Sequence, residues 1–270
     1  MMELLGMAFF KNAFLMCFFL GILFGTLSFF VVMRGLSFMG AGIAHTAFAG
    51  IALGLLLDIN PFYTSLVFCV ASALAIGRIV RLGRVSYDVS IGIFFSFSMA
   101  LGALFIAFRK DYTFDIMGYL FGNILGVTDF DLTLVVIALL VFLPFVALCL
   151  HRILFASFDE EVAAVSGVPI SLLENAMLIF LAAIIVVSIK IVGIILVSAL
   201  IVLPASFGLL LSRDFRLVLA AGIAYTVVIM LGGLFLSYNL DTPTGATMVT
   251  GGTLVYFAAL GASRFFAHIR

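Results

Sequence analysis

RGLSFMGAGIAHTAFAGIALGLLLD, Arg34 to Asp58, is the stretch from which the rest of the chain is read. Its two flanking charges enclose 23 residues, Gly35 to Leu57, without an Asp, Glu, Lys or Arg. As a helix rising about 1.5 Å per residue, that is enough to cross a bilayer core of about 30 Å. Small residues recur at helical spacing as Gly40/Ala44, Ala41/His45/Ala49 and Gly42/Thr46/Gly50, which lets a neighbouring backbone approach closely. His45 stands among them, the one histidine of the chain placed at mid-membrane depth. An ionisable group at that depth is a candidate functional residue.

The surrounding sequence agrees with a membrane setting. Only 10% of the 270 residues are charged and 66% are hydrophobic, with a mean hydropathy of +1.40. A soluble domain carries about one-quarter charged residues, so the fold expected is an all-α polytopic membrane protein. Nine spans are read, at 12–33, 36–57, 61–80, 89–108, 131–150, 172–189, 193–211, 217–237 and 245–263. An eight-span version arranges 172–211 differently. The segment 113–127 is too short and too glycine-rich to cross, and reads as a re-entrant or interfacial helix. The first apolar run, Asn12 to Met33, is too long for a signal-peptide core, so no cleavable signal is expected.

Charge placement sets an orientation. If the loop with Arg78, Arg81 and Arg84 is cytoplasmic, alternation puts Arg34, Arg152, Arg213, Arg216, Arg264 and Arg270 on the same side. Lys11, Arg109, Lys110 and Lys190 fall opposite, with Asp58, Asp111, Asp129, Asp131 and Asp241. The positive-inside rule then places the N-terminus outside and the C-terminus in the cytoplasm. The least membrane-like connection runs from His151 to Leu172. In it, Ser157 with Glu160, and Ser171 with Glu174, have capping-box spacing, starting a short helix and the next span. Between them FDEEVAAVSGVP offers an acidic first turn, an Ala/Val face and a Gly167/Pro169 stop. That pattern suits a plain capped helix or one that docks on a partner. Lys190 and Gly193 mark the turn within the apolar run from Ser171 to Ser212, with Lys190 snorkelling to the interface; Pro204 is expected to kink the span that follows.

Enzymatic chemistry finds no support. His45, His151 and His268 lack partners at catalytic or metal-motif spacing, and Cys17, Cys69 and Cys149 stand singly in apolar runs. No phosphate-binding loop is present, so active transport would draw its energy from an ion gradient or from a separate subunit. Neutral imidazole is a common ligand for zinc, manganese and iron, and His45 reads either as such a ligand, with Asp115 supplying charge, or as a packed side chain bonded to a carbonyl.

Several stretches together resemble the membrane subunits of zinc and manganese ABC importers. RGLSFMGAGIAHTAFAGIALG is similar to that family's second-span signature, roughly LSxMGDAISHAxxPGVAxG. MGYLFGNILGVT, EVAAVSGVP, KIVGIILVSALIVLPA and LSYNLDTPTGAT follow in the family's order. The resemblance implies a single permease domain over 1–270, acting as a homodimer that encloses a path for a divalent metal, zinc or manganese ahead of iron. It implies a cytoplasmic ATP-binding subunit holding ATP and magnesium, with no cofactor on this chain. It also implies an extracytoplasmic metal-binding protein as supplier, a prokaryotic cell membrane as location, and no nucleic-acid partner. By the same resemblance Asp159, Glu160, Glu161, Ala163, Ala164 and Gly167 form the coupling helix, within a loop of about 151–171. His45 and Asp115 belong to the path, with Gly40, Ala41, Gly42, Ala44, Ala49 and Gly50 packing around it. The family's acid four residues before the histidine is Ala41 here. The alternatives carried beside this are a gradient-driven secondary transporter and an ABC permease for iron-chelate or cobalamin-type substrates.

Overall fold

Uninterrupted apolar sequence in a solvent without hydrogen-bonding partners leaves the backbone one local solution, the helix. The computed structural model describes residues 8–83, 85–109, 118 and 121–267, and among these every long element is helical. In chain order they are α1 (Ala8–Met33), α2 (Ser37–Leu56), α3 (Pro61–Arg81), α4 (Tyr87–Phe108), a 3₁₀ turn at Ile124–Gly126, α5 (Asp129–Phe158), the short α6 (Glu160–Val165), α7 (Ile170–Leu211), α8 (Phe215–Leu240) and α9 (Thr244–Ala267). Eight of these helices are long and apolar enough to cross a membrane. The chain is an all-α polytopic membrane protein.

The 42 residues of α7 would span about 63 Å as one straight helix, twice a bilayer core. They do not form one. Gly193 has φ 81° and ψ 157°, a conformation outside the helical region, so helical segments meet there at a break. The turn expected at Lys190 and Gly193 thus falls on the glycine, the residue type that adopts this backbone at least steric cost.

Packing divides the chain into two units. The first takes the described residues of 1–37, 115–136 and 188–270. Here α1, apolar around its whole circumference, is an interior helix. Its glycines set how closely α8 approaches: a Cβ on Gly21 would stand 2.7 Å from Val227 Cγ2, and one on Gly25 would stand 2.5 Å from Ile223 Cα. Phe10 and Phe14 meet Phe235 at the other end, so the two helices run antiparallel. α9 continues the layer, its Gly252 carbonyl accepting from the Tyr225 hydroxyl at 2.6 Å. Pro204 contributes no N–H to its helix, and the next amide, Ala205, donates to the buried Ser28 Oγ of α1 at 3.0 Å.

The second unit takes the described residues of 38–114 and 137–187. α2 and α3 form its hairpin. Asp58 turns the chain at φ 53°, and Asn60 caps α3 by accepting from the Phe62 amide at 3.0 Å, with Pro61 opening the helix. A Cβ on Gly50 would collide with the backbone of Ser65, which explains the glycine there. Two expectations are corrected in this unit. α5 runs through His151 and Arg152 to Phe158, so the supposed connection begins as helix, and Ser157 bonds back to the Ile153 carbonyl at 2.8 Å instead of capping. Ser171 lies inside α7, after Pro169, whose carbonyl accepts from the amides of Leu172 and Leu173 at 3.1 Å each.

Candidate functional site

Twelve of the 20 residues of α2 are buried, among them Gly40, Gly42, Ala44, Ala49 and Gly50. Of these, Gly42, Ala49 and Gly50 serve close packing within their own unit. A Cβ on Gly42 would stand 2.5 Å from Ile91 Cγ2 of α4, and one on Gly102 of α4 would stand 2.5 Å from Phe48 Cδ1 and 3.4 Å from Ala49 Cα. One stripe of α2 is left uncovered, at helical spacing: Phe38, which is 69% exposed, then half-buried Ala41, His45 and Phe48. Phe38 and Ala41, with Gly42 of α2 and Asp88, Ile91, Gly92 and Phe95 of α4, line an open groove of about 430 Å³. His45 meets Phe95 edge to face, ring centroids 4.6 Å apart and planes at 68°. An imidazole half-open beside an apolar groove can lend a lone pair to a passing cation without enclosing it.

Ala41 supplies no carboxylate, and the groove acquires one from elsewhere. Asp88, in the first turn of α4, lines it. Nothing in the sequence singles out this residue, since an acid in a first helical turn has an adequate explanation in the helix dipole. Asp115 lies outside the described residues. Among the described residues, no three His, Cys, Asp or Glu side chains come together as a metal cluster.

The segment from Asp159 to Pro169 forms a second feature on the same unit. Asp159, not Ser157, caps α6, its Oδ1 accepting from the Val162 amide at 3.0 Å. Glu160 and Glu161 occupy the first turn. At the other end the Gly167 amide donates to the Ala164 carbonyl and the Val168 amide to the Ala163 carbonyl, both at 3.0 Å, with Gly167 at φ 82°. This pair of bonds is a Schellman stop. Ala163 is buried and seats the helix, whereas Glu160, Glu161 and Ala164 are exposed, with Val162 51% and Val165 92% exposed. A rigidly capped helix thus turns its carboxylates and valines outward.

A third polar group lies in the other unit. Lys190 Nζ reaches Asp131 Oδ1 at 3.0 Å and Oδ2 at 3.1 Å, and Thr128 caps α5 while its hydroxyl donates to Asp131 Oδ2 at 2.7 Å. Lys190 is therefore paired, where snorkelling alone was expected. Its carbonyl also accepts from the Asn123 amide at 3.4 Å. The pair, with Gly118, Asn123, Gly126, Val127 and Ile191, lines a cavity of about 200 Å³.

Comparison with known proteins carries the resemblance over nearly the full chain. The sequence profile of the ABC 3 transport family matches residues 6–263. The manganese transport system membrane protein MntC of Listeria monocytogenes serovar 1/2a is 33% identical over 239 residues, covering 88% of this chain and 85% of its own. The high-affinity zinc uptake system membrane protein ZnuB of Buchnera aphidicola is 29% identical, covering 86% and 89%. Among solved structures, PsaBC from Streptococcus pneumoniae in complex with Fab superposes with a TM-score of 0.84 at 27% identity, covering 96% of this chain and 93% of that one.

Proposed function

The chain belongs to the ABC 3 transport family, and on that premise we propose that it is the permease of an ATP-binding-cassette importer for manganese or zinc. The observation that carries this is the extent of the match: 88% of the chain aligns at 33% identity with a manganese transport membrane protein, and the family profile runs through both the His45 groove and α6. The zinc uptake relative keeps the second metal in the reading. As cargo, the ion needs a path lined by weak, spaced ligands, because a site that binds tightly also releases slowly. His45 beside Phe95, with Asp88 further along the groove, supports that kind of lining. The uncovered stripe of α2 faces the path, and a second copy of the chain supplies its opposite wall.

In the same reading α6 is the seat of a cytoplasmic ATPase subunit, which holds ATP and magnesium, and this chain needs neither a catalytic site nor a cofactor of its own. An extracytoplasmic metal-binding protein delivers the ion. The arginine-rich loops support a cytoplasmic C-terminus and an external N-terminus. One experiment decides the cargo. The chain is reconstituted with its ATPase and delivery protein, and ATP hydrolysis is followed under manganese, zinc and iron; the cargo is the ion that stimulates hydrolysis and enters the vesicles. Stimulation by none of them removes the reading.

The docking role makes its own prediction. A Cβ on Gly167 meets nothing within 4 Å, so Gly167→Ala adds backbone strain without a clash. Leaving the left-handed region to side-chain-bearing residues costs about 1–2 kcal/mol, enough to fray the stop of α6 roughly tenfold. Membrane insertion is expected to stay unchanged while capture of the ATPase subunit falls several-fold. Charge removal in Glu161→Gln is expected to act in the same direction. Capture equal to that of the unsubstituted chain in both variants would take α6 out of the interface.

A further inference from the structure

α6 is joined to the first turn of α7 by Ser166, Gly167, Val168 and Pro169 alone, and hydrogen bonds tie nearly every step of that link. Val168 donates to Ala163, Ile170 to Val168 at 2.9 Å, and Leu172 to Pro169. Displacement of α6 is therefore handed to the start of α7. There Glu174 has its two oxygens committed to two different helices. Arg81 Nη1, from the last turn of α3, reaches Glu174 Oε2 at 2.7 Å, and the hydroxyl of Tyr87, in the first turn of α4, donates to Glu174 Oε1. Arg81 Nη2 is spent on Asn175 Oδ1 at 2.8 Å, which fixes the guanidinium plane.

Cohesion does not require this cluster. One turn further in, a Cβ on Gly77 of α3 would stand 2.7 Å from Leu178 Cδ1 of α7, so α3 and α7 are already in close apolar contact. A partly exposed ion pair adds about 0–1 kcal/mol to stability, little beside that packing. The cluster does something packing cannot: it fixes direction, by pulling on Tyr87. Along α4 the residues Tyr87, Ile91 and Phe95 recur every four positions on one face, and Ile91 and Phe95 are the side chains that meet Gly42 and His45. Phe95 lies about 12 Å along a continuous helix from Tyr87. A helix transmits such a shift as a rod.

We infer that Arg81, Glu174 and Tyr87 are positioning residues that carry the movement of α6 to Phe95 and thereby set the pose of His45 beside the groove. The inference rests on the reading of α6 as the ATPase seat. Its test uses the complete complex in liposomes, with manganese and zinc supplied in turn and with ATPase capture, ATP hydrolysis and metal uptake measured on one preparation. Glu174→Gln is expected to capture the ATPase subunit normally and to hydrolyse ATP, while metal moved per ATP falls about tenfold, within the range of measured couplings. Tyr87→Phe, which removes a single hydroxyl and leaves the packing intact, is expected to lower the same ratio several-fold. Arg81→Gln combined with Glu174→Gln should be no worse than either alone, as for residues acting as a unit. An unchanged metal-to-ATP ratio in both single variants, or a loss of capture that accounts for the loss of transport, overturns the inference. Failure of the unsubstituted chain to capture an ATPase subunit would overturn the docking assignment of α6, and this inference with it.

Discussion

A side chain at Gly122 is expected to deplete the membrane of folded protein. Gly122 holds φ 74°, and a Cβ there would run into the Val192 and Ile191 main chain, with Gly193 N at 2.6 Å. None of these atoms is the far end of a flexible side chain that could swing aside. They belong to the break in α7, itself held at φ 81° and ψ 157°. Left-handed backbone costs a side-chain-bearing residue about 1–2 kcal/mol, and overpacking adds about 1–3 kcal/mol or more. Together that is about 2–5 kcal/mol, against a total stability of about 5–15 kcal/mol for a typical domain. Gly122→Ala should therefore lower both the yield of monodisperse protein extracted from membranes and its Tm, before any transport is measured. A Tm within a degree of the unsubstituted protein would mean that the segment around Gly122 does not rest on the α7 break.

Removing the imidazole in His45→Ala should leave the fold in place and reduce uptake of manganese and zinc by tenfold or more. The ring is half-buried and meets Phe95 at an edge, so the stability cost is expected to be about 1 kcal/mol or less. The transport cost is larger because no other nitrogen ligand sits on the open stripe of Phe38, Ala41, His45 and Phe48. A tenfold loss corresponds to about 1.4 kcal/mol of lost stabilisation along the path. Uptake measured over a range of metal concentrations checks this. Unaltered uptake at every concentration, with the variant present at normal levels, would make His45 a packing residue.

Much of the architecture could be read in advance, and the reason is the solvent. In lipid, apolar length alone marks a helix, so charges such as Arg34 and Asp58 bracket α2 closely. The break in α7 was legible for a related reason, since an apolar run of twice a bilayer's thickness has to turn, and Gly193 was the residue suited to it. Local signals failed where two of them competed. Ser157 and Asp159 both have capping chemistry, but the apolar helix α5 carries on past the first, and only Asp159 is left at an end. Partnerships across long stretches of chain left no local trace at all. Glu174 has the spacing of a capping-box acid with Ser171, yet its partners are Arg81 and Tyr87, and Lys190 finds Asp131. Asp88 in the groove was hidden by an adequate simpler explanation, its place in the first turn of α4.

The close fit of α1 against α8 also has a consequence in time. The backbone that Gly21 and Gly25 are shaped to receive, around Ile223 and Val227, is made about 200 residues after them. At synthesis rates of about 5–20 residues per second, that delay is about 10–40 s. Throughout it, the glycine notches of the interior helix are open to whatever surrounds them, while α2, α3 and α4 can already pair with one another. α1 is thus made early relative to its partner and completed late, at the moment when α8 arrives to fill its notches.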